Sequence, residues 1–157
     1  MHGKIDQKQR QSLLYAFNDP NSQAKILLAS TKACSEGISL VGASRVVLLD
    51  VVWNPSVERQ AISRAYRLGQ TKVVYTYHLI TQGTTECAKY CKQAEKDRIS
   101  ELVFSSKHNE NDKTKGSAAV TDDQVLDEMV CHDNLKDMFE KIIYQPKEKD
   151  LFENFGL

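Results

Sequence analysis

The sequence predicts an α/β fold in which helices flank a parallel sheet, followed by a long helix and an acidic helical tail. Three runs rich in aliphatic and β-branched residues predict strands, at residues 24–30, 45–51 and 72–80. A helical pattern lies between the second and third runs, and strands that alternate with helices favour a parallel sheet. Because the first two runs lack polar alternation, we expect those strands to be buried on both faces. The third alternates in part, which places it nearer an edge.

The predicted helices carry local signals for where they begin and end. Residues 5–18 have a helical pattern and stop at the turn sequence Asp-Pro-Asn at 19–21. Asn54 and Pro55 predict the cap and the first turn of a second helix. Residues 84–104 predict a long amphipathic helix, whose apolar side comprises Ala88, Cys91, Ile99, Leu102 and Val103.

The composition changes at the end of that helix. We expect a domain at 1–83, a bracing helix at 84–104, a polar disordered linker at 105–119 and an acidic helical tail at 120–157. The tail predicts two small helices, the first capped at Thr121. The final stretch, DLFENF, is either a packed or frayed chain end or a docking peptide.

Charge and composition narrow the possible partners. Residues 1–104 hold 14 Lys and Arg against 9 Asp and Glu, whereas residues 105–157 hold 7 against 12. A basic domain with an acidic tail favours a polyanionic partner for the first part. No apolar run approaches the roughly 18 residues that a membrane helix needs, so we expect no membrane partner. The four cysteines show no CxxC spacing, which predicts reduced thiols and no metal site.

The stretch QAISRAYRLGQ, residues 60–70, places Gln60, Arg64 and Arg67 on one stripe of the predicted helix. A neighbouring apolar stripe would hold that helix on the sheet; it comprises Val57, Ala61, Ala65 and Leu68. A guanidinium stays charged and offers a planar fork of donors, so a rigid pair suits a phosphoryl group whose charge grows in the transition state. The alternative is a solvated polar face.

Two further stretches follow predicted strands. STKACSEGISL, residues 30–40, follows the first strand, where hydroxyl groups and backbone amides of a parallel sheet can contact phosphates. Within it, Gly37 allows close backbone approach. Trp53 follows the second strand at the same sheet edge, a position that suits contact with sugars or bases. The alternatives are an ordinary polar loop and a core tryptophan.

Together these stretches resemble the C-terminal RecA-like lobe of the Swi/Snf family of DNA-dependent ATPases, over residues 1 to about 104. STKACSEGISL resembles the fifth helicase motif and QAISRAYRLGQ the sixth, while the WNP between them is characteristic of that family. KACSEGISLVGASRVVLLD and KYCKQAEKDRISELVF are similar to the plant CLASSY group of chromatin-remodeller-like proteins. This resemblance implies a RecA-like second helicase lobe in the nucleus, bringing RNA polymerase IV machinery to chromatin for small-RNA-directed DNA methylation.

The resemblance also implies roles for single residues. Arg64 and Arg67 would be arginine fingers, Gln60 a contact on the nucleotide side, and Gly37 and Ser39 part of the surface between two motor lobes. Double-stranded DNA or a nucleosome would be contacted by Gly3, Arg10, Ser30, Thr31, Lys32, Trp53 and Asn54. The implied cofactors are ATP and magnesium, bound together with an N-terminal motor lobe.

The chain departs from the family pattern in ways that matter for catalysis. Cys34 and Ser35 stand where most members have paired glycines, and Ser39 where asparagine is common, so we expect a stiffer loop and weaker nucleotide coupling. The sequence contains no GxxxxGK[ST] and no DExH-like motif. We therefore expect this chain alone neither to bind ATP tightly nor to hydrolyse it. Its start, part-way into the resembled lobe, predicts a fragment.

A second function, from another class, also fits the sequence. In this alternative the lobe is a non-catalytic adaptor, and the acidic helices and DLFENF recruit protein partners to chromatin. The two functions differ in what they require of Arg64 and Arg67: the motor needs both, whereas the adaptor needs neither.

Overall fold

The computed structural model of the chain describes residues 1–34, 37–105 and 123–143. Its elements, in chain order, are α1 (Gln7–Asn18), α2 (Thr31–Cys34), β1 (Arg45–Leu48), α3 (Pro55–Ile62), β2 (Tyr75–His78), α4 (Thr85–Ser105), α5 (Gln124–Cys131) and a 3₁₀ turn (Lys136–Met138). The chain divides into two compact units, residues 1–103 and 104–157. Apart from its first residue, the predicted linker at 105–119 lies outside the described residues, as do Thr121 and the stretch DLFENF.

A two-stranded parallel sheet lies at the centre of the first unit. Arg45 of β1 lies opposite Tyr75 of β2, and the register continues to the pair Leu48 and His78. The connection between the strands contains α3, so β1, α3 and β2 form a βαβ unit, as the alternation of strand and helix predicts. The α/β fold with a parallel sheet and flanking helices is therefore confirmed.

The predicted strand at 24–30 is wrong. This segment forms no part of the sheet, and its aliphatic side chains face solvent, with Ile26 89% and Leu28 74% exposed. The reason is a shortage of partners: at its end, Met1 donates to Leu28 O, and Ser30 N donates to Met1 O at 2.9 Å. These few main-chain bonds do not extend into a ladder. Burial on both faces is also wrong for β1, where Val47 is 48% exposed, because such burial needs a packed layer on each side of the sheet.

The helix boundaries follow the local signals closely. Asp6 caps α1 by accepting from Lys8 N, and Asn54 caps α3 by accepting from Ser56 N at 3.0 Å, with Pro55 in the first turn. The long helix α4 matches the prediction within a residue at each end.

Two predictions about the helical faces and the tail need correction. In α4, Ile99 is 55% exposed, so the apolar side is narrower than predicted and is centred on the buried Cys87 and Cys91. In the tail, α5 is a helix as expected, but the segment after it forms only the 3₁₀ turn. Short helices are marginal unless a packed neighbour stabilises them.

Among the described residues, the buried apolar side chains are mostly small. They comprise Ala33, Cys34, Ile38, Val51, Ala65, Cys87 and Cys91. They lie in α2, in the segments that follow α2, β1 and α3, and in α4. The core therefore includes residues of the stretches 30–40 and 60–70. Among the described residues, no helix has the length and apolar character needed to cross a membrane.

Candidate functional site

The arginine stretch does not form the single helix that the sequence predicts. Helix α3 ends at Ile62, and residues 63–69 continue as a series of turns. The predicted apolar stripe is correspondingly broken: Ala65 is 1% exposed, whereas Leu68 is fully exposed. Helical spacing is therefore not what orients Arg64 and Arg67.

The two arginines nevertheless converge, because both side chains reach the same stretch of backbone. Arg64 Nε donates to Cys34 O at 2.9 Å. Arg67 Nη1 donates to the carbonyl oxygens of Gly37 and Ile38, each at 3.3 Å. The carbonyl oxygens at the end of α2 and at the start of the loop to β1 thus accept hydrogen bonds from two arginines about thirty residues later in the chain. The structure brings the fifth-motif and sixth-motif residues together.

Main-chain and amide hydrogen bonds hold these two segments together. Leu40 N donates to Arg64 O at 2.9 Å. Gln70 Nε2 bridges them by donating to Ala43 O at 2.7 Å and to Ala65 O at 3.0 Å. These bonds join the segment 37–43 to the segment 63–70, and we call these two segments the loop pair. Because their backbones are held together, the loop pair fixes the positions of the arginines.

The glycine and the cysteine of this loop have separate physical roles. Gly37 has a φ of 64°, in the left-handed region that favours glycine, and a Cβ built there would meet nothing within 4 Å. Its conformation, and not a close approach, is what calls for glycine. Burial raises the pKa of the Cys34 thiol, although the amino terminus and Arg64 act in the opposite direction. The thiol is therefore neutral near pH 7.

The other two residues predicted on the nucleotide side lie on or next to the loop pair. Ser39 is half-buried, and its carbonyl accepts from Asn18 Nδ2 at 2.9 Å. Gln60 lies exposed in α3, and its carbonyl accepts from Ser63 Oγ at 2.7 Å. Both residues therefore use their backbones to hold the loop pair in place.

The predicted nucleic-acid residues at the amino end form a second group. Ser30 begins α2: its Oγ accepts from Ala33 N at 3.3 Å, and its backbone N–H reaches Met1 O. This bond brings the amino-terminal turn that contains Gly3 beside α2. Lys32 is exposed and Thr31 half-buried in α2, while Arg10 is half-buried in α1. The first part of the stretch 30–40 is thus a capped helical turn, which argues against the alternative of an ordinary polar loop there.

Trp53 and Asn54 form a third group, beside α4. Trp53 is 55% exposed, which excludes the core alternative. The ammonium groups of Lys89 and Lys96 lie 5.7 and 5.9 Å from its ring centroid, and Lys96 Nζ donates to Trp53 O at 3.3 Å. Asn54 is exposed, and its side chain is occupied as the α3 cap.

Comparison with known proteins gives this arrangement a family. Residues 1–69 match the helicase conserved C-terminal domain. Over its whole length the chain is 69% identical to the SNF2 domain-containing protein CLASSY 3 of Arabidopsis thaliana, of which it covers 11%. Residues 1–69 thus match a helicase C-terminal domain, and the chain over its whole length is similar to an SNF2 domain-containing protein. It is also 33% identical, over 90% of its length, to the DNA repair and recombination protein RAD54 of Saccharomyces cerevisiae, of which it covers 14%.

A solved structure of part of an ATPase domain confirms the fold. The C-terminal part of the Fun30 ATPase domain superposes with a TM-score of 0.55 and 29% identity, over 68% of this chain and 38% of that one. The chain therefore has the fold of a RecA-like C-terminal lobe, as its sequence predicts. It spans about a tenth of the length of the CLASSY relative that it matches.

The sequence did not predict one polar cluster, which joins three elements of the lobe. Glu58 of α3 is only 7% exposed, and its carboxylate contacts His78 Nε2 at the end of β2 and accepts from Gln93 Nε2 of α4 at 2.5 Å. Burial alone would raise the pKa of Glu58, but the hydrogen bonds from His78 and Gln93, with the charge of His78, together lower it. The only sequence signal was a glutamate on the inward side of α3, which a pattern of apolar residues does not reveal.

Tyr90 lies against this cluster. Its ring packs on His78 with centroids 5.6 Å apart and planes tilted by 55°. Burial raises the pKa of Tyr90, and the negative charge of Glu58 adds to that rise. Tyr90 thus packs on the histidine that contacts the Glu58 carboxylate.

Proposed function

We propose that this chain is the C-terminal motor lobe of an SNF2-type, ATP-dependent DNA translocase, in which Arg64 and Arg67 complete a nucleotide site formed with an N-terminal motor lobe. The observation that carries the proposal is the convergence of both guanidinium groups on Cys34, Gly37 and Ile38. Arginines fixed by a braced loop need little reorganisation when negative charge develops on a phosphoryl group.

The two arginines suit ATP in different ways. Arg67 is exposed, so its guanidinium can meet a phosphate presented from outside the lobe, whereas Arg64 is half-buried and held by Cys34 O. A guanidinium has five N–H donors, so the contacts of Arg67 Nη1 with Gly37 O and Ile38 O do not exhaust it. ATP with magnesium would supply the phosphoryl chemistry. Among the described residues, no three His, Cys, Asp or Glu side chains are grouped as metal ligands, so the magnesium ligands would come from the other lobe.

The proposed DNA contacts are Gly3, Arg10, Ser30, Thr31, Lys32, Trp53 and Asn54. In support, Lys32, Trp53, Asn54, Gly3 and Ser30 are all exposed. By its likeness to CLASSY 3, we further propose that the parent protein acts in the nucleus on chromatin, with RNA polymerase IV machinery, in small-RNA-directed DNA methylation.

The test joins this chain behind an SNF2 N-terminal motor lobe that supplies the P-loop. We expect Arg67→Ala and Arg64→Ala each to lower the DNA-stimulated kcat for ATP hydrolysis by roughly 10³ to 10⁵, the range seen for arginine fingers. Lysine replacements should restore little, since an ammonium lacks the planar fork. Arg59→Ala is the matched control, because Arg59 pairs with Asp97 of α4 at 3.2 Å.

Unfolding temperatures and DNA affinity separate catalysis from folding. If both stay at the wild-type value while turnover falls, the arginines act on the nucleotide. If turnover in Arg64→Ala and Arg67→Ala equals that of the Arg59→Ala control, the motor function is wrong and the adaptor function is favoured.

A further inference from the structure

We propose that α4, in addition to bracing the lobe, contacts the phosphate backbone of duplex DNA through Lys89 and Lys96, which are arranged around Trp53. This inference rests on the proposed DNA interface and extends it to an element to which neither the sequence motifs nor the family match assign a ligand.

The geometry is that of an exposed aromatic ring flanked by two positive charges. The ammonium groups of Lys89 and Lys96 lie 5.7 and 5.9 Å from the Trp53 ring centroid. Lys96 Nζ also donates to the Trp53 carbonyl at 3.3 Å, which places the turn before α3 against α4. More than half of the Trp53 surface stays exposed, so an incoming molecule can reach the ring and both charges together.

In the first half of α4, the lysines on the Trp53 side outnumber the carboxylates that could offset them. Lys92 is exposed and lies on the same side of α4, since positions 89, 92 and 96 fall within about 60° of one another around a helix. Of the acids in this half of α4, Asp97 pairs with Arg59, and Glu86 accepts a backbone N–H from the preceding loop at 3.0 Å. Glu86 keeps its negative charge, which acts on Lys89, and Glu95 is exposed, so two carboxylates offset three lysines.

The lysine spacing fits a regular chain of phosphates. Seven residues separate Lys89 from Lys96, a rise of about 10.5 Å along a helix. Successive phosphates of one DNA strand rise about 3.4 Å along the axis and also rotate around it, so the two ammonium groups would meet different phosphates of the same strand. Contacts between lysine and an exposed ring are weak, and both ammonium groups can therefore turn toward phosphates without losing much stabilisation. An acidic peptide, whose charges follow no fixed spacing, fits this row less well.

The test uses the fluorescence of Trp53, which is the only tryptophan in the chain and so reports from the site itself. The full 157-residue chain is titrated with a short DNA duplex over a range of salt concentrations. The same titration is run on Lys89→Ala, Lys96→Ala, on Lys32→Ala, and on the matched control Lys8→Ala, Lys72→Ala, which removes two exposed lysines elsewhere. Polyglutamate replaces the duplex in a parallel series.

We expect DNA to change the Trp53 emission and the α4 double variant to lower the slope of log affinity against log salt by about 1.8, since each lost phosphate contact removes about 0.9. Over a fourfold rise in salt, wild type should then lose about tenfold more affinity than the variant. The control variant should keep the wild-type slope.

Three outcomes overturn the inference. An α4 variant with the wild-type slope shows that Lys89 and Lys96 do not touch phosphates; if Lys32→Ala still lowers the slope, the proposed DNA interface stands without α4. Failure of the wild-type chain to bind the duplex refutes both the proposed DNA interface and the α4 contact. Polyglutamate that binds as tightly as the duplex, with the same loss in the α4 variant, assigns the surface to an acidic protein partner.

Discussion

Removal of the Glu58 carboxylate should destabilise the first unit strongly, because this carboxylate joins three elements at once. It contacts His78 of β2 and accepts from Gln93 of α4 at 2.5 Å, while its own backbone belongs to α3. Glu58→Ala leaves both partners without their acceptor. Within the described residues Gln93 Oε1 also lacks a hydrogen-bond partner, so loss of the Glu58 acceptor would leave both ends of the buried Gln93 amide unpaired.

The burial of each partner sets the size of the effect. Gln93 is only 4% exposed, so its unpaired amide should cost nearly the full penalty for a buried donor, whereas the His78 side chain is 29% exposed and water can replace part of its contact. With about 1 to 3 kcal/mol for each unsatisfied group, we expect a loss of about 3 kcal/mol in the free energy of unfolding. For a unit of about a hundred residues this corresponds to roughly 12 to 24 °C in Tm.

The assay is thermal and urea unfolding of the full chain, followed by circular dichroism. Glu95→Ala is the matched control, since Glu95 is an exposed carboxylate on α4 whose loss should change stability by no more than about 0.5 kcal/mol. Glu58→Gln should cost less than Glu58→Ala, because the replacement amide can donate to Gln93 Oε1. If Glu58→Ala and Glu95→Ala unfold at the same temperature, the cluster does not hold the three elements together.

The same carboxylate should make stability depend on pH. Because the pKa of Glu58 is lowered in the folded state, its contribution is fully present above the ordinary glutamate pKa and is lost as the pH falls through the folded-state pKa. Wild type should therefore lose stability below about pH 4 more steeply than Glu58→Gln. Parallel curves for the two proteins in acid would contradict this assignment.

Two further predictions concern the backbone. Gly42→Ala should destabilise by about 1 to 3 kcal/mol, because the added Cβ would lie 2.9 Å from Asn18 Cα and from a neighbouring carbonyl oxygen; Gly3→Ala, with nothing within 4 Å, is the control, and equal urea midpoints for the two variants would refute the clash. Asn54→Ala should cost about 1 kcal/mol by removing the α3 cap, and Asn54→Asp should restore most of it; an unchanged midpoint in Asn54→Ala would show that the cap adds nothing.

The elements that the sequence predicts correctly are those whose signals are local. Asn54 and Pro55 set the start of α3 through contacts within two residues, and α4 follows from a long helical pattern. The segment 24–30 fails for the opposite reason. Its composition suits a buried strand, but a strand also needs a partner and a covering layer, and neither is encoded within the segment itself.

The candidate site divides in the same way. Its residue types, and their likeness to two helicase motifs, are legible in the sequence. The sequence leaves open whether Trp53 is a core residue or an exposed contact, and only the structure shows that it is exposed. The reason given for the arginine pair is wrong, although the pair does converge. Helical spacing predicts a shared stripe, yet α3 ends before Arg64, and the convergence comes from carbonyl oxygens on a distant loop.

The sequence by itself therefore determined the family resemblance, the β1–α3–β2 unit, the start of α3 and the extent of α4. Only the tertiary structure decided where Arg64 and Arg67 meet, that Glu58 joins His78 to Gln93, and that Trp53 lies between two lysines of α4. The physical reason is distance along the chain. Caps and helical patterns act within a few residues, whereas these contacts join groups 20 to 43 residues apart, and only the folded backbone brings such groups together.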